Sequence, residues 1–231
     1  MKTIDVAIDD KPNLNGDYFP TSNIMSTSAA MTVADICSDM KAMAKSISNV
    51  YIDVSFVKAI ELILECNANE GKVVTTGMGK AGLAMQKFSA ILRSFGIPSA
   101  YIHSGEASHG DLGLICSKDI LFVASTSGKT REVLEIIELS KKINIWKVIG
   151  ITSHPDSPVR EVVDVVLDMG VIEEAGHLHL APTSSIIVMM AITDALAVAC
   201  AKKKNLTFDD YSKYHHSGYL GQIARNKANE E

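Results

Sequence analysis

Two hydrophobic rhythms alternate along this chain. Short, mostly apolar runs at residues 72–76, 99–102, 119–124, 146–152 and 163–169 have the length and texture of strands buried on both faces. Between and around them apolar residues recur at helical spacing: 33–47 and 54–66 before the first strand, then a helix ending near 96, another ending near 144, and a long one over 183–201. A further turn or two of helix is expected at 208–214. Residues 1–30 show no sustained period and read as an N-terminal extension, 31–225 as a single domain, and 226–231 as a charged tail that frays. Strands alternating with helices predict an α/β fold, a three-layer α/β/α sandwich around a five-stranded parallel sheet. In such sheets ligands bind at the carboxyl ends of the strands.

Composition narrows the class. With 231 residues, 47% of them apolar, the chain can bury a full core. Its net charge of −5, with no basic run longer than Lys202, Lys203 and Lys204, argues against a nucleic-acid partner. Cys37, Cys66, Cys116 and Cys200 are widely separated, which fits reduced thiols in the cytoplasm rather than a disulfide framework or a zinc site. The first residues carry acids where a signal peptide needs an apolar stretch. The 183–201 helix approaches the length of a membrane span, but Asp194 falls inside it and three lysines close it. It reads as a core or inter-subunit helix, with no membrane partner.

Chemistry concentrates in loops that follow strands. The 119–124 run empties into Ser125, Thr126, Ser127, Gly128, Lys129 and Thr130, just before the helical pattern that begins near Glu132. Hydroxyls, a glycine and the unpaired N–H groups of a helix start suit an anion, so the turn is a candidate phosphate cradle; an ordinary polar helix cap is the alternative. The spacing of Gly77, Gly79 and Gly82 matches the dinucleotide fingerprint, with Glu106 as a possible ribose ligand, although Lys80 puts a cation inside that loop. Gly128-Lys129-Thr130 imitates the end of a P-loop, but Val123 stands where that motif needs its first glycine. His177 with His179, and His215 with His216, leave metal binding open, yet lack a cysteine or carboxylate at ligand spacing; no metal is assigned. Pro182, Thr183, Ser184 and Ser185 read most simply as the capped start of the long helix, and they also offer further hydroxyls to a ligand.

Taken in order, these segments resemble the sugar-isomerase (SIS) domain, and most closely the arabinose-5-phosphate isomerases of the KpsF/GutQ type, over residues 72–222. The resemblance rests on Gly77-Met78-Gly79-Lys80, on the 105–113 segment around Glu106 and His109, on Ser125-Thr126-Ser127-Gly128, on the 180–185 segment, and on His215 with Gly218, Leu220 and Gly221. It implies a homotetramer with sites shared between subunits and interconversion of D-ribulose 5-phosphate and D-arabinose 5-phosphate, feeding Kdo, capsule or lipopolysaccharide synthesis. It also implies that Gly79, Lys80, Ser125, Thr126, Ser127, Thr130, Thr183 and Ser184 hold the phosphosugar. Lys80, His109, Glu132, Glu174 and His215 match the family's catalytic groups. Family enzymes often carry paired CBS domains after this point, and the expectation here is a protein without them. Ala81, Lys129, the 176–179 segment, His216 and Ser217 depart from the family's usual residues and leave the preferred sugar open.

An aldose–ketose isomerase takes a proton from the carbon beside the carbonyl and returns it to the neighbouring carbon, and it calls for no cofactor. Glu132 is the first candidate for the base and Glu174 the second. Lys80 is placed to stabilise an enediolate, and His109 or His215 to shuttle protons. The other reading is a sensor that binds the phosphosugar without changing it.

Overall fold

The computed structural model describes residues 27–230, so most of the expected N-terminal extension lies outside the described residues. Helices α1 (Thr27–Ser48) and α2 (Val54–Ala68) precede β1 (Val73–Gly77), α3 (Gly79–Ser94) and β2 (Ser99–Tyr101). After two short 3-10 turns, Ala107–His109 and Asp111–Leu114, come β3 (Ile120–Ala124), α4 (Arg131–Lys142), β4 (Lys147–Thr152), α5 (Val159–Val162) and β5 (Val165–Asp168). Three helices finish the chain: α6 (Ser184–Lys203), α7 (Phe208–Tyr214) and α8 (Gly218–Ala228). The five strands form one parallel sheet in the order β2-β1-β3-β4-β5.

Both faces of the sheet are covered, which explains why β1 and β3 are apolar or small at every position and buried throughout. On one face Ile120, Phe122, Ile149 and Ile151 pack with α2, α3 and α6; on the other Leu121, Val123 and Val148 pack with α4 and Val159. Helix α6 is long and apolar enough to cross a membrane. Here it lies against α1, α2 and α3, burying Val188, Met189, Ile192, Leu196 and Cys200, and its Asp194 pairs with Lys87 of α3. Burial pushes the Cys66 thiol up to about 11 and the Cys200 thiol up to about 12, as expected of cysteines that serve as packing.

Asp119 closes the end of the sheet opposite the loops of interest. Its buried carboxylate accepts from Lys72 N and Cys116 N, each at 2.9 Å, and pairs with Lys72 Nζ at 2.5 Å. Burial alone would raise its pKa, but the Lys72 and Cys116 donors outweigh that and hold it below the usual 3.8. Replacing it with asparagine leaves a half-buried ammonium unpaired and a donor unmet, and is expected to cost about 2–4 kcal/mol in urea unfolding at neutral pH. A depressed pKa contributes stability that is complete above the unfolded value of 3.8 and fades as pH falls through the lower folded value. The gap between wild type and Asp119→Asn should therefore shrink only below about pH 3.8.

The elements depart from the sequence reading at the edges. Strand β5 is shorter than expected, α1 begins inside the serine- and threonine-rich run, and α5 and α8 were not anticipated. Residues 226–228, read as a fraying tail, are the last turn of α8.

Candidate active site

Three strand ends converge on one cavity. The parallel order sets β1, β3 and β4 side by side, so the loops that leave their carboxyl ends are neighbours. Between them lies a cavity of about 300 Å3, walled by Lys80 at the start of α3, by Ser125, Thr126, Ser127 and Thr130 after β3, by His154 after β4, and by Glu174, Pro182 and Ser185 ahead of and within α6.

The β3–α4 loop is held in a single shape by its own hydroxyls. Ser125 Oγ lies 2.9 Å from Thr130 Oγ1 and accepts from Gly128 N at 3.0 Å, while Ser127 Oγ accepts from Lys129 N at 3.2 Å. Gly128 sits at φ +64°, where a side chain is strained and where a Cβ would fall 1.5 Å from Ser157 Oγ. The β4 end braces the loop from the side: Thr126 O receives Ser153 N at 3.0 Å and lies 3.1 Å from both Ser153 Oγ and His154 Nδ1. Lys129 reaches across the same gap to Asp156 at 3.1 Å. Gly82 lets α3 close on β1, since a Cβ there would come within 2.6 Å of Gly77 O. That packing accounts for the last glycine of the apparent dinucleotide fingerprint.

Glu174 forms the opposite wall and does the work of a helix cap. Its Oε2 accepts from Thr183 N at 2.8 Å, Ser185 N at 3.1 Å and Thr183 Oγ1 at 3.2 Å, meeting the unpaired donors at the start of α6. Burial works to raise its pKa, but the Ser185 and Thr183 groups prevail and leave it below the ordinary carboxylate value. A carboxylate so held stays charged at neutral pH. This suits fixing the α6 entry and balancing Lys80 better than exchanging protons, and it lowers the standing of Glu174 as a base.

Of the residues singled out from the sequence, Lys80, Ser125, Thr126, Ser127, Thr130 and Glu174 line the cavity. Gly79, Thr183 and Ser184 are next to lining residues without facing it themselves. Glu132 is in the first turn of α4, two residues beyond Thr130, half-buried and just off the wall. His109 is exposed on its 3-10 turn, and His215 stacks on Tyr211 with ring centres 3.9 Å apart; neither reaches the cavity of its own chain. His177 and His179 line a separate, larger hollow of about 560 Å3 between α1 and the 171–179 segment. Among the described residues no group of three His, Cys, Asp or Glu side chains is set to hold a metal ion. One ionisable wall residue, His154 after β4, was missed. The rule that ligands gather at strand ends points to it, once β4 is known to lie beside β3. Ser185, next to Thr183 and Ser184 at the start of α6, is buried on the same wall.

Fold and cavity together define a doubly wound parallel-sheet protein with an anion-suited cradle at its switch of strand order. The chain belongs to the SIS domain family, whose model matches residues 68–199. It is 42% identical over 167 residues to arabinose 5-phosphate isomerase KdsD of Pseudomonas aeruginosa, covering 72% of this chain and 50% of that one. To arabinose 5-phosphate isomerase KpsF of Escherichia coli it is 35% identical over 196 residues, covering 85% and 59%. The chain thus spans about half the length of the curated relatives it matches. Among solved structures, a presumptive phosphosugar isomerase involved in capsule formation from Bacteroides fragilis is 40% identical with a TM-score of 0.79, covering 81% of this chain and 99% of that one. An Escherichia coli CFT073 protein in complex with arabinose 5-phosphate is 32% identical with a TM-score of 0.75, covering 83% and 100%.

Proposed function

We propose that this protein interconverts D-ribulose 5-phosphate and D-arabinose 5-phosphate in the cytoplasm, supplying Kdo for capsule or lipopolysaccharide. The observation that carries the reading is the cavity itself: a hydroxyl-lined loop at the end of β3 facing one lysine and one carboxylate across about 300 Å3, room for a five-carbon phosphate ester. Relatives named arabinose 5-phosphate isomerase, at 35–42% identity, and a neighbour solved with that sugar phosphate support the choice of substrate.

In this reading the ester docks on Ser125, Ser127 and Thr130, and the carbonyl end points toward Lys80, whose ammonium stabilises the enediolate oxygen. Glu132 takes and returns the proton. His109 and His215, remote from the cavity of their own chain, enter from a neighbouring copy in a homotetramer. Support for that assembly comes from the exposed apolar side chains Met31, Ile36 and Met40 on α1 and Tyr219 and Leu220 on α8, surfaces suited to burial between subunits.

Incubating the protein with ribulose 5-phosphate in deuterated solvent tests the reading. The expected result is arabinose 5-phosphate carrying solvent deuterium beside the carbonyl. Binding with no exchange would make the protein a sensor.

A further inference from the structure

We propose that His154 is a phosphate-binding residue of this cavity, donating from Nε2 to the ester when its ring is protonated and so making affinity depend on pH. The inference rests on the phosphosugar reading only in needing an anion at the hydroxyl loop, and not on any turnover.

We assign the tautomer from the contacts of the ring, both of which fall on Nδ1. His154 Nδ1 lies 3.1 Å from Thr126 O and 3.0 Å from Ser153 Oγ. A carbonyl oxygen only accepts, so Nδ1 carries a hydrogen. Ser153 Oγ, 3.1 Å from the same carbonyl, donates there and accepts from the imidazole. In the neutral ring the lone pair is therefore on Nε2, and protonation adds a second N–H there. The ring is anchored to the backbone of the loop that holds Ser125, Ser127 and Thr130, and His154 forms part of the same wall.

Charge supplies the second strand of the argument. Among the described residues, the other ionisable side chains lining the cavity are Lys80, from α3, and Glu174, ahead of α6. With Glu174 held in its charged form, the two cancel, and a phosphate dianion meets a wall with no net charge. An imidazolium at 154 would tip that balance by one unit on the wall that also carries Ser125, Ser127 and Thr130. Glu132, just off the wall in the first turn of α4, adds a negative charge on the far side of the loop, while the charged groups of the 154–168 segment pair among themselves or with Lys129. Asp156 binds Lys129 at 3.1 Å, and Arg160, whose Nε donates to His154 O at 2.7 Å, pairs with Asp168 at 2.8 Å. A charged ring carries an N–H on both nitrogens, so comparing the two proteins at two pH values reads the added donor directly.

The test measures the dissociation constant of inorganic phosphate by calorimetry for wild type and His154→Asn at about pH 6 and about pH 8.5. Taking the ratio of the two proteins at each pH cancels the titration of phosphate itself. The expected ratio is about tenfold weaker binding by the variant at the lower pH and less than about twofold at the higher. Asparagine can still donate to Thr126 O, which keeps the loop braced, and Lys129→Met controls for a neighbouring cation off the wall; its ratio should not change with pH. An equal loss at both pH values would mean that the ring only props the loop, and would overturn the proposal. So would no loss, or no phosphate binding by wild type. Isomerisation with a flat ratio removes this inference and leaves the isomerase. A pH-dependent ratio without isomerisation does the reverse.

Discussion

Glu132→Gln is expected to lower turnover of ribulose 5-phosphate about a thousandfold while changing its dissociation constant less than about twofold. Glutamine keeps the size and hydrogen-bonding reach of the side chain but cannot take a proton. The residue is in the first turn of α4, close behind the phosphate loop, where its position would otherwise be explained as an acid complementing the helix dipole. Those two roles separate in the measurement. A dipole partner contributes at most about 1 kcal/mol of stability and leaves turnover intact, whereas a base contributes to turnover and little to stability. Glu174→Gln makes the comparison sharper. Its carboxylate already accepts three hydrogen bonds from the α6 entry, so its loss should appear first in thermal stability and in binding. A near-normal rate for Glu132→Gln together with a collapsed rate for a still-folded Glu174→Gln would exchange the two assignments.

The parts of the fold that could be read from the chain are those governed by local rules. A five-residue apolar run emptying into hydroxyls and a glycine before a helical pattern is a local signal, and β3, its loop and α4 follow it closely. Helix α8 was obscured because Gly218 and Gly221 look like breaks. In the structure Gly221 is there for close approach, since a Cβ would fall 1.9 Å from His215 O. One turn of α5 is too short to show a period. His154 stands in a Ser-His-Pro-Asp turn with nothing periodic about it, and only the order β1-β3-β4 reveals that this turn abuts the phosphate loop. The role of Glu174 meets a similar limit. Burial alone would raise the pKa of Glu174, but donors at 183 and 185, nine and eleven residues away and invisible as a motif, pull it down.

Gly128→Ala is expected to be among the most damaging single-methyl additions to this chain, costing about 2–5 kcal/mol and abolishing phosphate binding. Two effects combine. At φ +64° the left-handed backbone penalises a side chain by about 1–2 kcal/mol. The added Cβ would also lie 1.5 Å from Ser157 Oγ and 2.6 Å from Ser157 Cβ, so the serine or the loop must move, at a further cost of about 1–3 kcal/mol. Ser157 is not free to yield: it is buried, and its hydroxyl accepts from Thr152 Oγ1 at 3.1 Å. A shift of the loop instead breaks the Gly128 N to Ser125 Oγ bond and with it the spacing of the hydroxyls that would hold the ester. A double-mutant cycle with Ser157→Gly separates the terms. In that background the alanine should cost only the backbone part, about 1–2 kcal/mol, because the steric clash has been removed. If the penalty were unchanged in the double variant, the strain would be entirely backbone and Ser157 would have no part in holding the cradle.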